Sequence, residues 1–272
     1  MKYFLILATF ALLASCKSSS DDTPEPSQQI ILGSWNPVYN GQYTSVIKVY
    51  NSRNILVRGS HPIDPKERFV YDSIFAAVHQ QQPSLDLTGY SIVDISMLDN
   101  RPNADMPNLN NELIAFGLDS TAIPDSWPPF AQPGGYYPAL LGSAVYGHPG
   151  NFLWWPVEGY DPSLPVKQRI GTFITGGTLG FTWGFDFNGL VDRVDSLLKD
   201  PLHKQIIYYH CTWGKDRTGA LTFAWLIKYG GKDTTAAKNI VLAVAPVNDH
   251  YRKLMTDYAT WLDTAKISAQ RR

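Results

Sequence analysis

The chain has 272 residues, 44% hydrophobic and only 17% charged, enough apolar side chains to bury one substantial core. Its formal net charge is −1 and no long basic run is present, which argues against a nucleic acid partner. The six histidines are scattered, and no pair has helical spacing with an acidic partner, so the sequence suggests no metal-ligand cluster and calls for no cofactor.

Met1–Lys2 followed by the apolar stretch Phe4 to Ala14 reads as an export signal over residues 1–15, too short to span a bilayer. It ends Leu13-Ala14-Ser15-Cys16, which resembles the bacterial lipobox; that resemblance makes Cys16 a lipidated N-terminus. The expected location is then the bacterial envelope, with more than one acyl chain as a durable membrane anchor on the periplasmic face or the cell surface. An ordinary secretory signal with a chance cysteine is the alternative. Residues 16–29 are small, polar and punctuated by proline, a flexible tether, and residues 30–272 form a single domain. Cys16 and Cys211 are the only cysteines, so lipid on the first leaves the second as a lone thiol.

Strand-like and helical runs alternate along the domain, which indicates an α/β fold with a central, mostly parallel sheet flanked by helices. Asn54 to Arg58 predicts a strand ending at Gly59. Asp64-Pro65-Lys66-Glu67 predicts a helix start, with Asp64 as cap and Pro65 at the first helical position. Tyr90 to Met97 reads as a central strand buried on both faces. Residues 100–150 are rich in Pro, Gly and Asn and read as an irregular insertion, either a surface excursion packed on the domain or a lid or substrate-recognition wall. Phe152 to Val157 is a further apolar run, followed by a Gly/Thr-rich stretch from Gly171 to Gly184. Leu190, Val191, Val194, Leu197 and Leu198 then recur at helical spacing behind Asp186 or Asn188 as cap.

Gln205 to Tyr209 predicts a strand that runs into His210-Cys211-Thr212-Trp213-Gly214-Lys215-Asp216-Arg217-Thr218-Gly219. Ala220 to Tyr229 then reads as a buried helix ended by Gly230-Gly231. A loop between strand and helix can turn successive N–H groups toward one point at the helix N-terminus, where a phosphate-sized anion is favoured. Gly214 and Gly219 relieve the crowding of so tight a turn. The same field should lower the pKa of Cys211 and make its thiolate a nucleophile, while Arg217 can grip two phosphoryl oxygens with its planar fork. The bland reading of Cys211 is a buried structural thiol. Beyond the loop, Asp233 can cap a helix through Ala236, Ile240 and Val244, and Tyr251, Leu254, Met255, Tyr258, Trp261 and Leu262 form one face of a last helix.

The run HCTWGKDRTG contains the HCx5R(S/T) signature of the cysteine-dependent phosphatase superfamily and resembles most closely its tyrosine and dual-specificity branches. In its fuller form, HCxxGKDRTG, it is similar to bacterial and fungal tyrosine phosphatases sometimes grouped with lipid-active enzymes. Val57-Arg58-Gly59-Ser60 and Ile92-Val93-Asp94-Ile95 sit where those enzymes have matching strand ends, although Ser96 stands where the family usually has Arg. The resemblance implies a phosphatase-like fold and a phosphocysteine intermediate on Cys211. It makes Arg217 the phosphate ligand, Thr218 a hydroxyl that steadies the thiolate, and His210 a residue that orients the loop; for His210, plain packing is the competing role. Thr212, Trp213, Gly214, Lys215, Asp216 and Gly219 complete the phosphate-binding loop.

The family also implies a general acid on the loop after the strand preceding the pre-signature helix, where Glu158, Asp161 and Asp186 fall. Asp161 is favoured because Gly159, Pro162 and Pro165 make a loop around it; Asp186 has capping as its competing role, and Asp216 is a third candidate. The expected substrate is a phosphotyrosine or dual-specificity phosphoprotein, with a phosphoinositide or inositol phosphate as the alternative to which Lys215 and Asp216 point. A non-catalytic module holding a phosphorylated ligand and a sulfur-transfer enzyme are weaker alternatives. Trp154, Trp155, Trp183 and Trp213 could pack against a phenyl ring, although most such aromatics belong to cores.

Overall fold

The computed structural model describes residues 43–99, 105–118, 139–145, 148–157, 160–176 and 186–270. The signal segment, the tether with Cys16, Glu158, Trp183 and much of the proline-rich stretch lie outside these residues.

Among the described residues, six strands form one sheet in the order β1-β2-β6-β3-β5-β4. They are β1 (Thr44–Tyr50), β2 (Asn54–Gly59), β3 (Ser91–Ser96), β4 (Ala139–Val145), β5 (His148–Trp154) and β6 (Gln205–His210). The four inner strands β2, β6, β3 and β5 run parallel, and β1 and β4 close the two edges antiparallel. Both faces of the inner sheet are covered, so successive residues of each strand enter different cores. Leu56, Val93, Ile95, Leu153, Ile207 and Tyr209 pack against α4 (Phe187–Leu198), α5 (Asp216–Lys228), α6 (Thr234–Val244) and α7 (Asp249–Gln270). Their neighbours Ile55, Val57, Ile92, Phe152, Ile206 and Tyr208 face α1 (Tyr71–Gln81) and α2 (Met106–Ala115) on the other side. The architecture is thus an α/β fold with a mostly parallel sheet flanked by helices.

Several predicted elements appear with their caps. The Asp186 carboxylate accepts from Gly189 N–H at 2.6 Å at the start of α4, and the Asp233 carboxylate accepts from Ala236 N–H at 2.8 Å at the start of α6. The segment 64–70 differs. Asp64 does not begin a helix: its carboxylate accepts from the N–H groups of Lys66 and Arg68 at 2.8 and 3.0 Å, and the Arg68 guanidinium closes on it at 2.7 Å. This local ring of hydrogen bonds outcompetes a helical turn, and α1 begins seven residues later, at Tyr71.

The stretch 100–150 is also more regular than its composition suggests. It contributes α2, the edge strand β4 and the start of β5. Leu109 and Leu113 of α2 and its C-cap residue Phe116, all buried, follow one another at spacings of four and three, a pattern obscured in sequence by Pro107 and the asparagines around it. A further short helix, α3 (Val166–Arg169), runs on into a π-helical turn over Ile170–Ile174 within the Gly/Thr-rich region.

Arg169 and Asp257 form a buried pair with Nε to Oδ2 at 2.5 Å, and the Tyr160 hydroxyl donates to the same oxygen at 2.6 Å. Arg169 Nη1 also donates to the carbonyl oxygens of Pro162 and Leu164. One guanidinium therefore fastens the 160–164 loop to α7.

Candidate active site

β6 lies in the middle of the sheet and delivers His210 and Cys211 at its C-terminal end, with α5 starting at Asp216. The intervening turn is shaped by Gly214, whose φ is +64°, a value that favours glycine; a Cβ there would also lie 2.3 Å from Gly59 O. Gly219 serves differently from the sequence expectation. It lies inside α5, where a Cβ would approach a Val247 methyl to 2.6 Å, so its smallness lets the 247 segment pack close.

The turn is held from behind. Arg58, fully buried, donates to Gly214 O at 2.9 Å and to the Tyr43 hydroxyl at 3.0 Å, and the Tyr43 hydroxyl itself donates to Gly214 O. Burial keeps the Tyr43 phenol above its usual range despite Arg58, so it remains a donor. His61 N–H donates to Thr212 O at 3.2 Å, and Met97 N–H donates to His210 O at 3.1 Å.

Inside the loop, Cys211 is 3% exposed, and the Thr218 hydroxyl donates to its sulfur at 3.2 Å. Burial alone would raise the thiol. The Arg217 guanidinium, the bonds from Thr218 and the charge of His210 outweigh it, and the Cys211 pKa lies below its ordinary value. Arg217 Nη1 donates to Met97 O at 2.9 Å and to Asp105 Oδ2 at 2.6 Å. Asp105 Oδ1 in turn accepts from the Thr212 hydroxyl at 2.5 Å. Burial raises Asp105, but Arg217 and Thr212 prevail and hold it below the usual carboxylate range.

The fold thus brings Cys211, Thr212, Gly214, Arg217 and Thr218 together, and it adds Asp105, which sequence reasoning missed. The signal was present: Asp105 precedes Met106-Pro107, an acidic residue ahead of a first-turn proline, inside a stretch that looked irregular. Trp213 is 71% exposed at the turn, whereas Trp154 and Trp155 are buried in the core. Lys215 is the residue before α5. Asp216 accepts from Asn248 N–H at 2.7 Å and so engages the start of α7.

Asp161 sits on the loop fastened by Arg169. Its carboxylate accepts from the N–H and hydroxyl of Ser163 at 2.8 and 2.6 Å, which lowers its pKa. Asp186 is the cap of α4, raised by burial against the bond from Gly189.

His210 has no exposed surface, and its Nε2 lies 3.2 Å from Asp94 Oδ1 and 3.4 Å from Glu112 Oε1. His61 Nε2 is 2.9 Å from the same Glu112 oxygen. Burial would lower His210, yet Glu112 and Asp94 hold it up at about 9; burial pushes Asp94 up to about 6 against the pull of His210. Residues 94, 112 and 210 are distant in the sequence, and for that reason the scattered histidines gave no hint of this cluster.

No family model and no curated protein matches the chain. Among solved structures, human DUSP28 is 13% identical over 80% of this chain and 95% of its own, with a TM-score of 0.34. P. aeruginosa TpbA in complex with phosphotyrosine is 12% identical over 88% of this chain and 90% of its own, at 0.37. PTPMT1 in complex with PI(5)P is 11% identical over 80% and 94%, at 0.36.

Proposed function

We propose that this protein is a cysteine-dependent phosphatase, hydrolysing phosphomonoesters by way of a phosphocysteine on Cys211. The observation that carries this reading is the buried Cys211 sulfur, within reach of the Thr218 hydroxyl and lowered in pKa by Arg217, at the junction of a central strand and a helix N-terminus. In the first step the thiolate attacks phosphorus while the bond to the leaving oxygen breaks. Loop N–H groups and Arg217 stabilise the charge on the three equatorial oxygens. Water then cleaves the sulfur–phosphorus bond, which frees phosphate and restores the thiolate.

The leaving oxygen needs a proton, and Asp105 is the carboxylate in contact with the loop's own side chains. A substrate phosphoryl group that takes Arg217 removes the partner that keeps Asp105 ionised and sets a second anion beside it. Both changes favour the protonated acid. Of the candidates from the sequence pattern, Asp161 is engaged by Ser163, Asp186 by Gly189 N–H and Asp216 by Asn248 N–H.

The substrate reading is a phosphotyrosine or dual-specificity phosphoprotein, with Trp213 exposed where a phenyl ring could lie against it. A phosphoinositide is the alternative, favoured by Lys215 at the loop. On the strength of Leu13-Ala14-Ser15-Cys16, the chain is an exported lipoprotein anchored through Cys16. Incorporation of labelled palmitate, lost in Cys16→Ala, checks the anchor.

The activity is checked by phosphate release from a phosphotyrosine peptide and a panel of phosphoinositides, without added metal and under reducing conditions, for the unmodified protein and Cys211→Ser. Loss of turnover in the variant supports the thiolate mechanism, and the preferred substrate separates protein from lipid. An unmodified protein that binds vanadate yet releases no phosphate from any substrate is a binding module instead.

A further inference from the structure

Asp94 and His210 project from β3 and β6 toward the α1/α2 side of the sheet, and Glu112 meets them from α2. In the parallel register Ser96 pairs with His210 and Asp94 with Tyr208, so Asp94 and His210 share a face at the C-terminal ends of adjacent strands. All three side chains have no exposed surface. Apart from the ion-pair contacts of His210 with Asp94 and Glu112 and of His61 with Glu112, the side-chain polar atoms of Asp94, Glu112 and His210 have no hydrogen-bond partner among the described residues; neither does the buried Ser96 hydroxyl.

Two carboxylates buried together are costly unless a cation compensates them. Protons alone balance both carboxylates only if His210 and His61, which lies 2.9 Å from Glu112 Oε1, are both imidazoliums; one divalent ion balances both with the imidazoles neutral. The spacing agrees with an ion. One donor atom from each residue lies within 4.8 Å of the other two. The separations of 3.2 and 3.4 Å are long for charge-assisted hydrogen bonds of about 2.7–2.9 Å. Bonds of about 2.0–2.2 Å to a tetrahedral zinc place neighbouring donors roughly 3.3–3.6 Å apart.

We propose that Asp94, Glu112 and His210 form a buried site for one divalent transition-metal ion, with zinc the species that best suits one imidazole nitrogen and two carboxylate oxygens. His61, within 2.9 Å of Glu112 Oε1 and bonded through Nε2 to Asn108 O at 3.1 Å, stands behind Glu112 as an outer partner. The ion ties α2 to the ends of β3 and β6. Because Asp105 begins the same helix that carries Glu112, the ion also fixes the carboxylate that meets Arg217. Its role is structural, and the inference stands whether or not the protein is a phosphatase.

The buried position means that the ion enters as the chain folds, so the test is a refolding experiment. The full chain is denatured with chelator, refolded in detergent with or without zinc, desalted, and measured for metal by plasma mass spectrometry and for melting temperature. The expected result is about one zinc per chain, a higher melting temperature than the chelated control, and at least a tenfold lower zinc content in Asp94→Asn and Glu112→Gln. Since either variant can fail to fold, the unmodified chain is also refolded with cobalt(II), where visible absorption of a tetrahedral site without a thiolate charge-transfer band is expected. Zinc retained at well under one per chain with no change in melting temperature overturns the proposal and assigns the cluster a shared proton. Zinc retained equally by both folded variants, or a cobalt–thiolate band from Cys211, overturns it as well.

Discussion

Asp105 and Arg217 hold each other across the 211–217 loop, with Oδ2 2.6 Å from Nη1, so the guanidinium already faces an anion of the protein's own. Substrate must displace or share that contact. Asp105→Asn is therefore expected to bind tungstate or vanadate several-fold more tightly. The same change should slow alkyl phosphates by roughly 10²–10⁴-fold and aryl phosphates with good leaving groups much less. Asp161→Asn should leave that leaving-group dependence unchanged; the reverse result would move the acid to Asp161.

The Asp105 contact also has a pH signature. A carboxyl held below its unfolded value contributes stability above about pH 4, where the unfolded group ionises, and loses it as pH falls through the folded value. Urea midpoints for the unmodified protein and Asp105→Asn should differ most near neutrality and converge under acid. A gap that widens toward low pH would contradict the sign of the shift.

Cys211 should react as a thiolate at pH values where an ordinary thiol is protonated. Iodoacetamide alkylation followed against pH is expected to show a midpoint below the ordinary thiol value of about 8.5. Thr218→Val removes the 3.2 Å hydroxyl contact and should move the midpoint up, with Thr218→Ser restoring it. Burial of the sulfur will slow the absolute rate, so the midpoint is the quantity to compare.

Two glycines with left-handed φ separate conformational strain from crowding. Gly231→Ala meets open space at φ +66° and should cost about 1 kcal/mol, whereas Gly214→Ala adds a clash with Gly59 O and should cost roughly 2–4 kcal/mol and abolish turnover. Chemical denaturation of the two variants provides the comparison.

The Arg169–Asp257 pair is buried on both sides, so Arg169→Met is expected to destabilise the fold by about 3–5 kcal/mol by leaving Asp257 uncompensated. Replacing both partners with Met and Leu should recover much of that loss in a urea titration. If the single and double variants lose equally, the cost lies in packing and not in the stranded charge.

The sequence made the strand–loop–helix unit around Cys211 legible because all its determinants are local: an apolar strand, a glycine turn and a helix follow one another directly. The caps Asp186 and Asp233 were readable for the same reason. What escaped was long-range or competed with a local signal. Asp64 carries the marks of a helix cap but is drawn into a ring with Arg68, and β1 gave no distinctive pattern in sequence. Asp105 and the Asp94–Glu112–His210 cluster acquire their partners only when α2 docks beside β3 and β6, over separations that no spacing rule covers.

The strand order carries a consequence for how the site comes into being. β2 and β3 are joined through α1, yet they do not pair; β6, encoded about 110 residues after β3, slides between them. An emerging chain therefore holds an open slot in the middle of its sheet until every other strand has been made. Closing it demands distant pairings on both sides at once, the kind of step that makes folding slow. Cys211 follows directly on the closing strand, so the reactive thiol and the cradle that activates it appear together, late, and in a single event.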